Sequence, residues 1–314
     1  MKWPRIASIM DNQVGFALSG VFVALPAPYR PDGSPDAGKL HRILDFHLSR
    51  HVTGFCIGGV TGEYAASGLE ERLTTLRDAA RYLDGRAVLI SGIGGEHRGQ
   101  VDRLARTAAD IGAIAALLPP PFYFQHDSQD LLEYLQTVAA ELPLPVLFYN
   151  IPKFTSELNI EHVLTLIESV PNVIGIKDSS GRPENLPLLR EAKDSMPMAF
   201  LIGNDKLLLD ALQNGADGAI SGLAAACPEL IFGLYGAFRS GLFEKAKELQ
   251  VLVDELITHI DGFPPPWAIK LGLEARGLEL GARSWPLGKR LQVKAWEFQA
   301  WFREWFPKCE NACE

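Results

Sequence analysis

The sequence predicts an α/β fold, a (β/α)8 TIM barrel with a C-terminal helical extension. From Leu18 onward, short apolar or β-branched runs alternate with amphipathic stretches at a fairly steady spacing, the pattern of βα units on a parallel sheet. No shift in composition interrupts these repeats, and beyond Gly241 the pattern becomes purely helical. About eight βα repeats in one uninterrupted domain indicate a barrel, a fold whose active site lies at the C-terminal strand ends. The expected division is an N-terminal extension over residues 1–15, the barrel over 16–240 and the helical extension over 241–314.

The first strand is expected from Leu18 to Leu25, ahead of a Pro/Gly loop reaching Pro35 and a helix with Leu40, Ile43, Leu44 and Leu48 on one face. Thr53 to Ile57 reads as the second strand. It ends in Gly58-Gly59-Val60-Thr61-Gly62-Glu63, after which Ser67-Gly68-Leu69-Glu70 has the spacing of a capping box. Ala87 to Ser91 is the third strand. A helix carrying Val101, Leu104, Ala105, Ala108 and Ile111 leads to the fourth, Ala113 to Leu118, and to a loop ending in Pro121-Phe122-Tyr123. Pro145 to Tyr149 forms the fifth, closed by Asn150-Ile151-Pro152 because a proline cannot continue the ladder. The sixth runs from Asn172 into Lys177, the seventh from Ala199 to Ile202 and the eighth from Gly218 to Ser221. Helices are then expected over Phe243 to Ile260, Trp267 to Ala275 and Gly288 to Phe306. In the last, Phe298, Trp301, Phe302 and Trp305 recur at helical spacing with no basic face opposite, which reads as packing against the barrel or a subunit rather than a membrane.

With 47% hydrophobic and 22% charged residues, the 314-residue chain can bury a large core. A net charge of -8 without any basic block argues against nucleic acid as a partner. The four cysteines, Cys56, Cys227, Cys309 and Cys313, form no CxxC, so neither a disulfide framework nor a zinc site is indicated and a reducing cytoplasm fits. Met1 to Gly15 carries Lys2, Arg5 and Asp11 and is not read as a signal peptide, and no uncharged apolar run reaches membrane-spanning length. None of the seven histidines sits in an HxH or HExxH, which speaks against a metal-dependent barrel.

The apolar run Val173-Ile174-Gly175-Ile176 stops at Lys177 and breaks into Asp178, Ser179, Ser180 and Gly181, placing Lys177 at the C-terminal end of a buried strand. A lysine there loses hydration, which favours the neutral amine as a nucleophile toward a carbonyl. The plainer alternative is a strand-end lysine that snorkels its charge to water.

Five segments in order, Gly59-Val60-Thr61-Gly62-Glu63, Pro121-Phe122-Tyr123, Tyr149-Asn150-Ile151-Pro152, Gly175-Ile176-Lys177-Asp178 and Gly203-Asn204-Asp205, resemble the dihydrodipicolinate synthase/N-acetylneuraminate lyase family of class I pyruvate-dependent lyases. The resemblance runs from about Gly20 to Gly277. It implies that Lys177 condenses with the keto group of pyruvate or another 2-oxo acid, the protonated imine then serving as electron sink with no metal or organic cofactor. It implies that Thr61 and the amides around Gly62 bind the substrate carboxylate, and that Tyr149 is the general acid/base. Tyr123 would reach into a neighbouring subunit's site, hence a dimer or a dimer of dimers. Asp205, following Gly203, resembles the polyol-contacting segment of sugar-acid aldolases and sialic acid lyases. Two positions depart from the family pattern. Val60 stands where a Thr or Ser completes a hydroxyl relay between the two tyrosines, and Phe154 stands where the synthase proper has an arginine for its second substrate's carboxylate.

The reading is a cytoplasmic lyase that cleaves a 2-oxo-3-deoxy sugar acid to pyruvate and an aldehyde. Dehydration or deamination through the same imine, and the synthase reaction, are the alternatives. Ser221 joins Val60, Thr61, Gly62, Phe154, Gly203 and Asp205 in the expected substrate-binding set. Of two other classes, a phosphate-binding barrel would use Gly215-Ala216-Asp217-Gly218 and the Ser221-Gly222 turn, although the same glycines suit helix capping before a tight strand start. A catalytically silent 2-oxo acid sensor is the other, and the joint presence of Lys177 and Tyr149 argues against it.

Overall fold

The structure, a computed structural model, describes residues 18–50, 52–281 and 286–313; the expected N-terminal extension and the reading of Met1 to Gly15 lie outside them. The strands are β1 (Gly20–Ala24), β2 (Gly54–Ile57), β3 (Val88–Gly92), β4 (Ala115–Leu118), β5 (Val146–Asn150), β6 (Val173–Asp178), β7 (Ala199–Ile202) and β8 (Gly218–Ser221). They follow one another in chain order as a closed parallel barrel, the (β/α)8 fold that the alternating pattern predicts. Their near-continuous apolar runs have the physical reason usual for parallel strands, burial on both faces. The helices between and after them are α1 (Ala37–Leu48), α2 (Leu69–Leu83), α3 (Arg98–Asp110), α4 (Ser128–Glu141), α5 (Ile160–Ser169), α6 (Asn185–Ser195), α7 (Leu208–Gln213), α8 (Leu223–Ala226), α9 (Pro228–Arg239), α10 (Phe243–Ile260), α11 (Trp267–Ala275) and α12 (Lys289–Cys313).

The chain divides into two compact units. In the first, the segment ending at Gly20 with Val88–Ile220, the ladder runs unbroken from β3 to β8. The register sets Tyr149 opposite Lys177, Asn150 opposite Asp178, and Lys177 opposite Leu201. Gly175 has φ 154, and a Cβ there would collide with the backbone of Ala199, so only glycine lets β6 and β7 approach this closely. The fifth strand continues one residue beyond Tyr149, because Asn150 still has a ladder partner in Asp178 before Pro152 ends it. The fourth starts at Ala115 rather than Ala113, whose N–H instead bonds the Ala108 carbonyl as the chain leaves α3 through left-handed Gly112.

In the second unit, Val21–Ala87 with Ser221–Glu314, β1 pairs with β2 and places Phe22 opposite Gly54. The buried stripe of α1 is Leu40, Ile43, Leu44 and His47, not Leu48, since i, i+3, i+4, i+7 is the spacing that stays on one face. The capping motif before α2 is shifted by one residue. Gly68 is the N-cap, and only its N–H is satisfied by a side chain, Glu71 Oε2 at 2.8 Å, while Ser67 Oγ bonds the Tyr29 hydroxyl at 2.6 Å. The last helix runs through Pro307 to Cys313 instead of stopping at Phe306. A proline inside a helix costs about 3 kcal/mol, and the turn beyond it buries Cys309 completely, which recovers part of that cost. Phe298, Phe302 and Trp305 are buried, Trp301 stacks on His259 of α10 at 3.6 Å, and Trp305 Nε1 donates to Glu255 at 3.0 Å. The aromatic stripe therefore packs within its own chain. Among the described residues no helix is long and apolar enough to cross a membrane.

Candidate active site

Lys177 is the next-to-last residue of β6, and its long side chain is buried, 5% exposed. Tyr149, its register partner on β5, is 4% exposed, and Lys177 Nζ stands 4.1 Å from the centre of the Tyr149 ring. Two adjacent parallel strands in register point residues of equal height to the same face, so the pair is a direct product of the β5–β6 ladder. The lysine does not snorkel to water. Room for it comes from Gly203, just past β7, because a Cβ at that position would collide with Lys177 Cε and Ser179 Oγ. Gly203 N–H donates to the Asp178 carbonyl at 2.8 Å, extending the ladder past the strand ends. Asp205 follows as the first residue of a short 3-10 helix, Asp205–Leu207, and is buried there.

Beside the lysine, Asp178 and Asn150 are 1% and 0% exposed. Asn150 Nδ2 and Ser180 N–H reach Asp178 Oδ1 at 3.0 and 3.1 Å, and Ser180 Oγ and Asn185 Nδ2 reach Oδ2 at 2.9 and 3.4 Å. Burial pushes the Asp178 carboxyl above the ordinary aspartate value, against the pull of these donors. Neither residue had a role in the sequence reading. Two polar residues closing adjacent apolar runs, at Asn150 and Asp178, were the signal that could have found them.

Tyr123 is not brought into the buried pair. It sits five residues past β4 with φ 80 and is 86% exposed, edge-on to the also exposed Phe124 at 4.9 Å. Phe154 lies on the loop after β5, 41% exposed, with Lys153 Nζ 5.8 Å above its ring. That loop and the Tyr123 loop meet in an antiparallel bridge between Phe122 and Thr155.

In the second unit, the turn after β2 closes on itself. Gly62 N–H bonds the Gly59 carbonyl and Glu63 N–H bonds that of Val60, at 3.0 and 2.9 Å. These two amides are thus engaged within the turn, and Thr61 at its tip is half-buried. Gly222 lies close by, since a Cβ on it would come within 3.3 Å of Thr61 Oγ1. Glu63 takes the left-handed conformation, φ 55, and its carboxylate pairs with Lys270 of α11, whose side chain is 1% exposed. Lys270 also escaped the sequence reading, although a lysine inside Trp267-Ala268-Ile269-Lys270-Leu271 is an interruption worth a partner. Ser221 is fully buried and its Oγ accepts the Ala224 N–H at 3.0 Å, holding the first turn of α8.

The loop considered for phosphate has other work. Gly215, φ 81, ends α7, while Asp217 pairs with Lys193 and accepts the Phe200 N–H at 2.8 Å. An anionic side chain already bound in this way leaves no cradle for a phosphate. Among the described residues no cluster of three His, Cys, Asp or Glu could hold a metal ion.

The profile of the Dihydrodipicolinate synthetase family matches residues 17–299. The 4-hydroxy-tetrahydrodipicolinate synthase of Archaeoglobus fulgidus is 31% identical over 272 residues, covering 85% of this chain and 91% of its own. Among solved structures, the sialic acid aldolase of Ruminococcus gnavus superposes with a TM-score of 0.84 at 25% identity, covering 93% of this chain and 99% of that one. YagE, a prophage protein of the dihydrodipicolinic acid synthase family from E. coli K12 in complex with pyruvate, superposes with a TM-score of 0.84 at 25% identity, covering 93% and 98%. A match over most of the length leaves one assignment: the chain belongs to the dihydrodipicolinate synthetase family, whose members are class I lyases working through a lysine Schiff base.

Proposed function

We propose that the protein is a Schiff-base lyase that cleaves a 2-oxo-3-deoxy sugar acid to pyruvate and an aldehyde. The observation that carries this reading is the Lys177 amine buried at 4.1 Å over the ring of Tyr149. Lys177 Nζ attacks the C2 ketone and loses water to give a protonated imine. Tyr149 takes the proton of the C4 hydroxyl while the C3–C4 bond breaks, its electron pair moving into the imine as an enamine and the aldehyde departing. Protonation at C3 and hydrolysis then release pyruvate and restore the amine. Thr61 takes the substrate carboxylate, and Asp205 accepts hydrogen bonds from the sugar hydroxyls. Both roles rest on the family resemblance. The pyruvate in the YagE complex and the sialic acid substrate named for the Ruminococcus aldolase support the substrate class.

The solvated Tyr123 ring favours a homo-oligomer in which it enters a neighbour's site, and the cysteine pattern favours the cytoplasm. The synthase reaction is the second reading, favoured by the relatives that bear that name. Phe154 weighs against it, because a phenyl ring cannot form the ionic hydrogen bond that an arginine gives a carboxylate. Losing such a charge pair costs a few kcal/mol, about a hundredfold or more in efficiency. Condensation of pyruvate with aspartate semialdehyde at the efficiency of a dedicated synthase would reverse the order of the two readings.

The test of the shared chemistry is borohydride reduction in the presence of pyruvate. A covalent adduct is expected on the Lys177 peptide and none in Lys177→Ala. An adduct of equal yield in both, or in neither, refutes the Schiff-base reading. A screen of 2-oxo-3-deoxy sugar acids, following pyruvate release and keto-acid loss separately, then distinguishes cleavage from dehydration.

A further inference from the structure

We propose that Asp178 is a positioning residue for the Schiff-base reaction: its buried carboxylate, held by Asn150, locks the ends of β5 and β6 so that Tyr149 faces Lys177. The proposal rests on the reading of Lys177 as the imine-forming residue and adds how that lysine is aimed. The register is the first part of the argument. Tyr149 lies opposite Lys177, and the next pair along the same two strands is Asn150 opposite Asp178, joined side chain to side chain at 3.0 Å. A parallel ladder can slip or fray where it meets a loop, and a buried side-chain bond one step past the reacting pair opposes both.

The chemistry of the hub is the second part. Each Asp178 oxygen accepts two hydrogen bonds, from Asn150 Nδ2 and Ser180 N–H on Oδ1 and from Ser180 Oγ and Asn185 Nδ2 on Oδ2. An ionised carboxylate offers about four such sites and no donor, so its acceptors match the four donors around it. Protonation at Oδ1 would set an O–H against two N–H donors, and protonation at Oδ2 would require the Ser180 hydroxyl to turn from donor to acceptor. The four partners are neutral, so the charge serves to gather donors rather than to form an ion pair.

The reach of the hub is the third part. Asn150 Oδ1 accepts the Leu158 N–H at 3.0 Å, which fixes the far end of the loop carrying Phe154. From that loop, Ser156 Oγ accepts the His126 N–H at 3.0 Å and Thr155 bridges Phe122, beside Tyr123. On the other side, the Asp178 carbonyl accepts Gly203 N–H at 2.8 Å, and Gly203 is the residue that leaves room for Lys177 Cε. The carboxylate therefore ties the strand ends to the loop that carries Phe154, while the backbone of the same residue holds the glycine beside the nucleophile. A near-attack geometry depends on such support, since a misplacement of about 1 Å can cost on the order of a hundredfold in rate.

The experiment uses the full chain, pyruvate as probe and borohydride quenching at timed intervals, with adduct read by intact mass. Asn150→Asp sets a second carboxylate against Asp178, while the double variant Asn150→Asp with Asp178→Asn restores a donor opposite an acceptor. With folding verified by circular dichroism, Asn150→Asp is expected to slow adduct formation at saturating pyruvate by about tenfold to a hundredfold. The half-saturating pyruvate concentration should change by less than about threefold, because the carboxylate-binding turn is untouched. The double variant restores that bond but turns an amide NH2 toward the Ser180 N–H, so it should recover part of the loss and react at least about threefold faster than Asn150→Asp. A folded Asn150→Asp that reacts at the unaltered rate overturns the proposal. So does a double variant that regains thermal stability but stays slow, since that outcome belongs to a purely structural network. If Asn150→Asp does not fold, Ser180→Ala, which removes one donor and leaves three, should slow the reaction by about threefold to tenfold at unchanged half-saturation; no slowing there refutes the proposal equally. If the unaltered protein forms no Lys177 adduct at all, it is the Schiff-base reading that has failed.

Discussion

Tyr149 and Tyr123 carry the same phenol into opposite surroundings. One is 4% exposed against the nucleophilic lysine, the other 86% exposed at a left-handed residue after β4. Under the proposed function, with Val60 in place of a hydroxyl, protons would reach the imine directly from Tyr149 or through water. Tyr149→Phe is therefore expected to reduce turnover by about a hundredfold or more, and Tyr123→Phe far less, with oligomeric state followed by sedimentation. Equal and severe losses in both, with the oligomer intact, would mean that a relay operates without the hydroxyl. The local environment of each residue, not its type, decides its role.

Among the elements, the turn after β2 and helix α11 are coupled by the buried pair of Glu63 and Lys270. Lys270 Nζ also lies 5.0 Å from the Tyr29 ring centre, and the Tyr29 hydroxyl bonds Ser67, which in turn donates to the Glu63 carbonyl at 3.2 Å. The left-handed backbone at Glu63 is held from both sides by this arrangement. Removing one partner of a buried pair leaves the other charge uncompensated, so Lys270→Ala should lower stability by about 3–5 kcal/mol in urea unfolding. Lys270→Met combined with Glu63→Gln removes both charges and should lie much closer to the unaltered protein. If the double variant proves as unstable as Lys270→Ala, packing rather than charge explains the site.

At the scale of the whole molecule, His47 makes stability depend on pH. It is fully buried on α1, edge-on to Phe46 and Phe55, and neither ring nitrogen has a hydrogen-bond partner among the described residues. Burial, reinforced by Arg50 and Arg276, lowers its pKa from 6.5 to about 3. The unfolded chain takes up this proton near 6.5 and the folded chain does not, so stability is fully present above 6.5 and falls as pH drops through the window toward 3. The slope from this one group is about 1.4 kcal/mol per pH unit. His47→Leu should remove up to about that slope from the pH dependence of the unfolding free energy, measured by urea titration, as pH falls from 6.5 toward 5. An unchanged profile would place the acid sensitivity elsewhere.

Much of this protein is set by local patterning alone. Alternating apolar and amphipathic stretches specify parallel βα units, because each strand must bury both faces and each helix one, and the barrel follows from their number. The apolar run ending at Lys177 is enough to put a lysine at a strand end, and the ordered motifs around it are enough for the family. Boundaries were less legible where tertiary contacts override a local rule: α12 passes through Pro307 because the next turn buries Cys309, and Ser67 leaves its capping place to bond Tyr29. The candidate site is named in the sequence by its residue types, but its geometry is not. That Tyr149 and Lys177 face each other follows from the β5–β6 register, which no single segment encodes. The partners of Asp178 come from 28 positions upstream and from the loop and helix that follow it, and Lys270 meets Glu63 across 207 positions. Only folding brings those groups out of water together, and it is the loss of water that makes the buried carboxylate gather its donors.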